Sequence, residues 1–190
     1  MRHLGTVKIE TKKLILRPFT ADDAPAMYRN WACDEQVVQF LTWPAHTDED
    51  TTCGILTSWV ENYQDEGYYQ WAIELKGTDF GPIGSISVNN EIDPQIRMAE
   101  IGYCIGRRWW HTGVTSRALK AVMDFLFDQV GINKVQARHD PRNVHSGRVM
   151  KKCGMKYEGT LRQADRNNSG VCDAVYYGLL SEERLQTVKE

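Results

Sequence analysis

The stretch AEIGYCIGRRWWHTGVTSRAL, Ala99 to Leu119, decides the fold. Its first half alternates. Ala99, Ile101, Tyr103 and Ile105 fall on one face of an extended chain, and Glu100, Gly102 and Cys104 on the other. After paired arginines and paired tryptophans come the small or hydroxylated residues Thr112-Gly113-Val114-Thr115-Ser116. Leu119, Val122, Met123, Leu126 and Val130 then recur at helical spacing, with Lys120, Asp124 and Asp128 opposite. The reading is strand, tight loop, helix. A helix start leaves backbone N–H groups unpaired and carries partial positive charge. Small residues there let a phosphate approach, and Arg107 and Arg108 add charge from the loop. On physics alone an anion site and a plain turn with two solvated arginines fit these residues equally well.

The 190 residues, 42% hydrophobic and 25% charged, suit one soluble domain spanning 1–190 with a real core. A formal net charge of −2 supplies no field for a polyanion, so no nucleic-acid partner is expected. Cys33, Cys53, Cys104, Cys153 and Cys172 are scattered, with no CxxC or Cys/His ligand spacing. That reads as free thiols in a reducing cytoplasm and no metal. The start, MRHLGTVKIETKK, has no apolar signal core, and no run approaches about 18 apolar residues, so neither secretion nor a membrane anchor is expected.

Working outward, Leu14 to Arg17 make a short strand stopped by Pro18. Thr20 and Asp23 form a capping signal ahead of a helix face of Ala24, Met27, Tyr28, Trp31 and Ala32. A second helix opens near Thr47 or Asp48 with the apolar set Ile55, Leu56, Trp59, Val60 and Tyr63. Between them VVQFLTWPAHT fits neither period; it suits a pocket lining or, slightly better, a hydrophobic plug. Strands follow at Tyr69 to Leu75 and Ile83 to Val88, then the strand ending near Ile105, spaced as an antiparallel meander. After the long helix, Val135, Ala137 and His139 alternate, and Asp140-Pro141 stops them. Asn143 caps a helix carrying Val149, Met150 and Cys153, with Gly154 as its stop. Strands near Tyr157–Arg162 and Val171–Leu180 close a hairpin. The order β-α-α-β-β-β-α-β-α-β-β is mixed α/β with at least one crossover.

Glu100-Ile-Gly-Tyr103, the Arg108-to-Ala118 loop, and Asp140-Pro-Arg-Asn143-Val-His-Ser146 running on to Gly159 carry, in this order and spacing, a strong resemblance to the GNAT superfamily of acetyl-CoA-dependent N-acetyltransferases. Within it the chain resembles the RimJ/RimL-like branch of ribosomal-protein N-terminal acetyltransferases, over nearly its whole length. The resemblance implies a mostly antiparallel twisted sheet, splayed at its centre and flanked by helices on both faces. It implies acetyl transfer from acetyl-CoA to a primary amine, a protein N-terminal α-amino group or a small-molecule amine, by direct attack in a ternary complex. A sensor or partner protein that binds CoA without turnover is the alternative. The family's loop, Arg/Gln-x-x-Gly-x-Gly/Ala, places Arg108 first and Gly113 last. His111 stands where the earlier glycine belongs, Thr112 replaces a common lysine, and Arg117 replaces a frequent acidic residue. Glycine reaches positive φ freely and histidine only at a cost.

The implied cofactor contacts are Tyr103, Ile105, Arg108, His111, Thr112, Gly113, Val114, Thr115, Ser116 and Asn143, with Ser146 as proton donor to the leaving thiolate. From the residues alone a plain cap at Asn143 and a first-turn serine at Ser146 are the favoured readings, and the resemblance reverses that order. An α-amino group, with a pKa of about 8, is partly neutral near pH 7, whereas a lysine or polyamine nitrogen near 10.4 is mostly charged. Glu100 is the first candidate for a general base, against pairing with Arg97 or another cation. His139 is second, against a hydrogen-bonded strand-end histidine; Asp165 and Asp173 follow. Cys104 and Cys153 lack a histidine partner, so no acyl-enzyme is expected. The acceptor pocket is expected between the front helices, the Phe40–His46 loop and the last hairpin. Trp31, Trp43, Tyr68 and Trp71 are candidate linings, though most suit the core. The expected state is monomer or homodimer.

Overall fold

In the computed structural model, which describes residues 1–184, the chain builds one open sheet. Its strands are β1 (Ile9–Glu10), β2 (Leu14–Arg17), β3 (Gln70–Leu75), β4 (Gly84–Val88), β5 (Met98–Ile105), β6 (Lys134–His139), β7 (Lys156–Asn167) and β8 (Gly170–Leu180). They lie in the order β1-β2-β3-β4-β5-β6-β8-β7. All neighbours are antiparallel except β5 and β6, whose parallel pairing needs the crossover helix between them. The last six residues of the expected domain span fall outside the described residues.

The β5–β6 ladder is short. It joins Met98, Ala99 and Glu100 to Lys134, Val135 and Gln136, and stops there. Both strands run on, β5 to Ile105 and β6 to His139, each still paired on its outer side. The sheet is therefore splayed at its centre, as the resemblance implies, and the gap opens toward the C-terminal ends of these two strands.

The helices are α1 (Ala24–Met27), α2 (Glu35–Val38), α3 (Glu49–Asn62), α4 (Val114–Phe125), α5 (Val144–Lys152) and α6 (Ser181–Arg184). They sit on both faces because the strands alternate. Trp71 and Ile73 join Ile86, Ile101 and the α4 residues Leu119 and Val122 in one cluster. Ala72, between them, packs with Phe19, Trp31 and Leu56 under α1 and α3 in another. All five apolar positions read along the long helix are buried, and burial of such a side chain is worth about 1.5–3 kcal/mol. The helix leaves α geometry at Leu126–Val130 in a wider turn, ended by Gly131 at φ 82°. α3 departs from its reading. Leu56 is fully buried, but Ile55 and Val60 are exposed, so its buried stripe is narrower than the apolar run.

Candidate active site

α4 begins where a strained loop ends. His111 holds φ 62° and Gly113 φ 75°, so the histidine takes the left-handed conformation expected of the missing glycine. Its ring meets His145 of α5 edge-on, with centroids 4.7 Å apart. Arg117 braces the loop from behind, one terminal nitrogen donating to the Thr112 carbonyl at 3.2 Å. The first backbone bond of the helix runs from Arg117 N–H to the Gly113 carbonyl, leaving the N–H groups of Val114, Thr115 and Ser116 ahead of the ladder. This is the unpaired helix start that the residues predict, and such an end favours an anion.

A cavity of about 550 Å³ opens beside it. Tyr103, Ile105, His111, Gly113, Thr115, Ser116, Asn143 and Ser146 all line it, so the sheet gap, the loop and the first turn of α5 meet as expected. Arg108, Thr112, Val114 and Glu100 do not line it. Arg108 lays its guanidinium over the Phe80 ring, 4.3 Å from the centroid, instead of turning to the loop. Thr112 spends its hydroxyl on the Trp109 carbonyl at 2.7 Å, and the Val114 side chain is buried in the core. Arg117 is likewise off the lining, occupied with the loop.

The proposed bases are engaged elsewhere. Glu100 pairs with Arg138 and accepts from Gln136 Nε2 at 3.1 Å, which is the cation pairing weighed against it, though the cation is not Arg97. Arg138 also binds Asp165, Nε to Oδ2 at 2.6 Å. Asp173 accepts the Gln163 N–H at 2.9 Å. His139 keeps Nδ1 2.8 Å from the Asp140 carbonyl, stacks on Tyr177, and lies under α5, where a Cβ on Gly147 would come within 2.6 Å of its Nε2. It is a strand-end histidine.

α5 supplies what the sequence reading missed. His145, Arg148, Val149 and Lys152 line the cavity from one helix face. Their spacing of i, i+3, i+4 and i+7 was the available signal. Arg142 joins from the turn before, so the lining carries the basic side chains of Arg142, Arg148 and Lys152 and, among the described residues, no carboxylate. A Cβ built on Gly113 would stand 3.1 Å from an Arg117 terminal nitrogen and 3.8 Å from Lys152 Nζ, so positive charge converges on that turn. A polyanionic coenzyme fits this donor set.

At the gap, Tyr103 Oη lies 3.1 Å from both the carbonyl oxygen and Oγ of Ser146. Burial pushes the Tyr103 phenol well above its ordinary value, so it keeps its proton. The Asn143 side chain accepts the Ser146 N–H at 3.3 Å, so the cap exists, and the same residue lines the cavity. Cys104 also lines it, but burial raises its thiol, and Cys153 is pushed up to about 11 by burial. Neither is a ready nucleophile.

The opposite wall is Gln36, Val37, Gln39, Phe40 and Leu41. This part of the aromatic segment is therefore lining rather than plug. None of the four expected aromatic linings contributes. Trp31 and Trp71 are fully buried, Trp43 packs toward the α1–α3 cluster, and Tyr68 sits edge-on to Tyr63.

The model of the acetyltransferase (GNAT) domain matches residues 13–156. The chain belongs to the GNAT acetyltransferase family. It is 28% identical to the N-acetyltransferase p20 of Bacillus licheniformis, over 91% of this chain and 96% of that one. It is 27% identical to the [ribosomal protein uS5]-alanine N-acetyltransferase of Escherichia coli, over 40% of each chain. Its fold superposes on RimL, a ribosomal L7/L12 alpha-N-protein acetyltransferase in complex with coenzyme A, with a TM-score of 0.81 at 22% identity, covering 93% of this chain and 99% of that one. The protein is an acetyl-CoA-dependent N-acetyltransferase of that family, and ribosomal-protein N-acetyltransferases are among the proteins it resembles. Among the described residues no helix is long and apolar enough to cross a membrane.

Proposed function

We propose that this enzyme acetylates an α-amino group, with both substrates held in the one cavity and Ser146 as the proton donor. The Tyr103–Ser146 hydroxyl pair in the sheet gap carries this reading. Acetyl-CoA supplies the acyl thioester. The N–H groups at the start of α4, with Lys152 and Arg148, hold its phosphates, and Tyr103, Ile105 and Asn143 border its arm. Ser146 Oγ–H faces the departing sulfur when Tyr103 donates to Oγ from behind. With Glu100 engaged by Arg138 and no carboxylate on the lining, the nucleophile enters through its own neutral fraction. That favours an amine of pKa about 8 over one near 10.4. Of the similar proteins, one is named an alanine N-acetyltransferase of ribosomal protein uS5 and another a ribosomal L7/L12 alpha-N-protein acetyltransferase, which supports the same acceptor class.

We further infer a single domain acting in the cytoplasm, as monomer or homodimer, with no nucleic-acid partner. Free thiol released from acetyl-CoA is the test, using peptides with free N-termini beside polyamines and lysine analogues. Faster release with the peptides is expected. CoA binding without release for any amine would make the protein a sensor instead.

A further inference from the structure

The turn between β7 and β8 does more than reverse the chain. Asn168 reaches across to the segment after α2, its Nδ2 donating to the Val38 carbonyl at 2.8 Å and to the Trp43 carbonyl at 2.7 Å. Its backbone N–H donates to the Leu41 carbonyl at 3.1 Å, and Ser169 Oγ donates to the Gln39 carbonyl at 3.2 Å. The turn is itself anchored. Asn167 Oδ1 accepts the Ser169 N–H, and Asn167 Nδ2 donates to the buried Asp140 carboxylate at 2.8 Å. Asp140 in turn holds Arg142, a cavity residue. The front of the segment is tied to the residues after β5, where Arg107 bridges Asp34 at 3.0 Å and Gln36 at 2.9 Å.

The wall from Gln36 to Leu41 lacks a regular strand or long helix to hold it. The carbonyls of Val38, Gln39 and Leu41 accept from the hairpin turn, and the wall's place relative to the phosphate end is set through that turn. The phosphates are assigned to the α4–α5 side of the cavity. The opposite wall therefore faces the acceptor.

We propose that Asn168 is a positioning residue that sets acceptor affinity by holding the 36–43 wall against the sheet gap. This rests on the assignment of the cavity above. Asn168 touches neither substrate in this reading; it acts through Val38, Leu41 and Trp43.

The test is Asn168→Asp, nearly isosteric, whose carboxylate cannot donate to the two carbonyls. Hydrogen–deuterium exchange of the full chain is read on peptides covering 36–43, where the amides of Val37, Val38 and Leu41 are hydrogen-bonded. Exchange there should quicken by about tenfold, the scale of two lost neutral hydrogen bonds, while β5 and α5 peptides are unchanged. With the best amine of the peptide panel, the acceptor KM should rise about tenfold and the acetyl-CoA KM stay within about twofold. Ser169→Ala, losing one longer bond, should shift both readouts the same way by less. Unchanged exchange at 36–43, or equal rises in the two KM values, overturns the proposal. The exchange measurement needs no turnover. A wild-type protein that releases no thiol sinks the function proposed above, and the strut is still judged on exchange.

Discussion

Tyr103 Oη and Ser146 Oγ stand 3.1 Å apart, one on the central strand and the other in the first turn of α5. Burial keeps the proton on the phenol, which donates to the Ser146 carbonyl and lies within hydrogen-bond distance of Oγ, with the cavity in front of the serine. Ser146→Ala should lower kcat by about a hundredfold, the lower end of what a positioned proton donor contributes, with acetyl-CoA KM changed far less. Tyr103→Phe keeps the ring packing and should cost about tenfold in kcat. Thiol release under saturating acetyl-CoA checks both. Wild-type turnover in Ser146→Ala removes the serine from the mechanism.

Lys152 tests the phosphate end. It closes the basic face of α5 beside the Gly113 turn and is itself exposed. Lys152→Ala should raise acetyl-CoA KM about tenfold with kcat nearly unchanged, as expected when an ionic contact common to ground and transition states is lost. Lys152→Glu should do more, and the wild-type KM should climb with salt as screening grows. A kcat loss at constant KM would place Lys152 in the chemistry and not in binding.

Why some of this was legible in the residues and some was not follows from sequence distance. The alternation through Ala99–Ile105 marks β5 because one face is buried, and the helical period after Val114 marks α4 for the same reason. The loop between them is local, so the unpaired helix start at its end is readable. Arg108 fits the family's pattern yet lies on Phe80, a ring from the β3–β4 connection that local sequence does not place beside it. Glu100 faces Arg138 only because two parallel strands share three register pairs before they part. In α5 the core residues and the cap carry the periodic signal, while Arg148 and Lys152, one turn apart, define a basic stripe that the apolar period does not mark.

His111 tests whether conformation or side chain matters in the loop. Its left-handed backbone costs roughly 1–2 kcal/mol. The edge-on contact with His145 returns about 0.5–1.5 kcal/mol. His111→Gly removes both and should leave Tm and acetyl-CoA KM close to wild type. His111→Val puts a β-branched residue at φ 62° and should destabilise by about 2 kcal/mol while raising acetyl-CoA KM. If valine is tolerated as well as glycine, the loop does not need this conformation to bind.

Asp140 makes the acid side of the stability profile predictable. Its carboxylate is almost fully buried and accepts from the Arg142 guanidinium on both oxygens, from the Arg142 backbone N–H and from Asn167 Nδ2. Arg142 foremost holds its pKa well below the ordinary carboxylate value of about 3.9. A depressed folded value means the unfolded chain takes up the proton first as pH falls. The stabilisation is therefore complete above the unfolded value and drains away as pH drops from there toward the folded one. Asp140→Asn keeps the shape but loses the charge, and should cost about 2 kcal/mol at pH 7. Its Tm deficit should hold steady from pH 7 to about 5 and shrink below about 4, because the wild type then loses the same interaction. A deficit that stays constant down to pH 3 would mean the asparagine disturbs packing, and that the Arg142 pair contributes little to the fold.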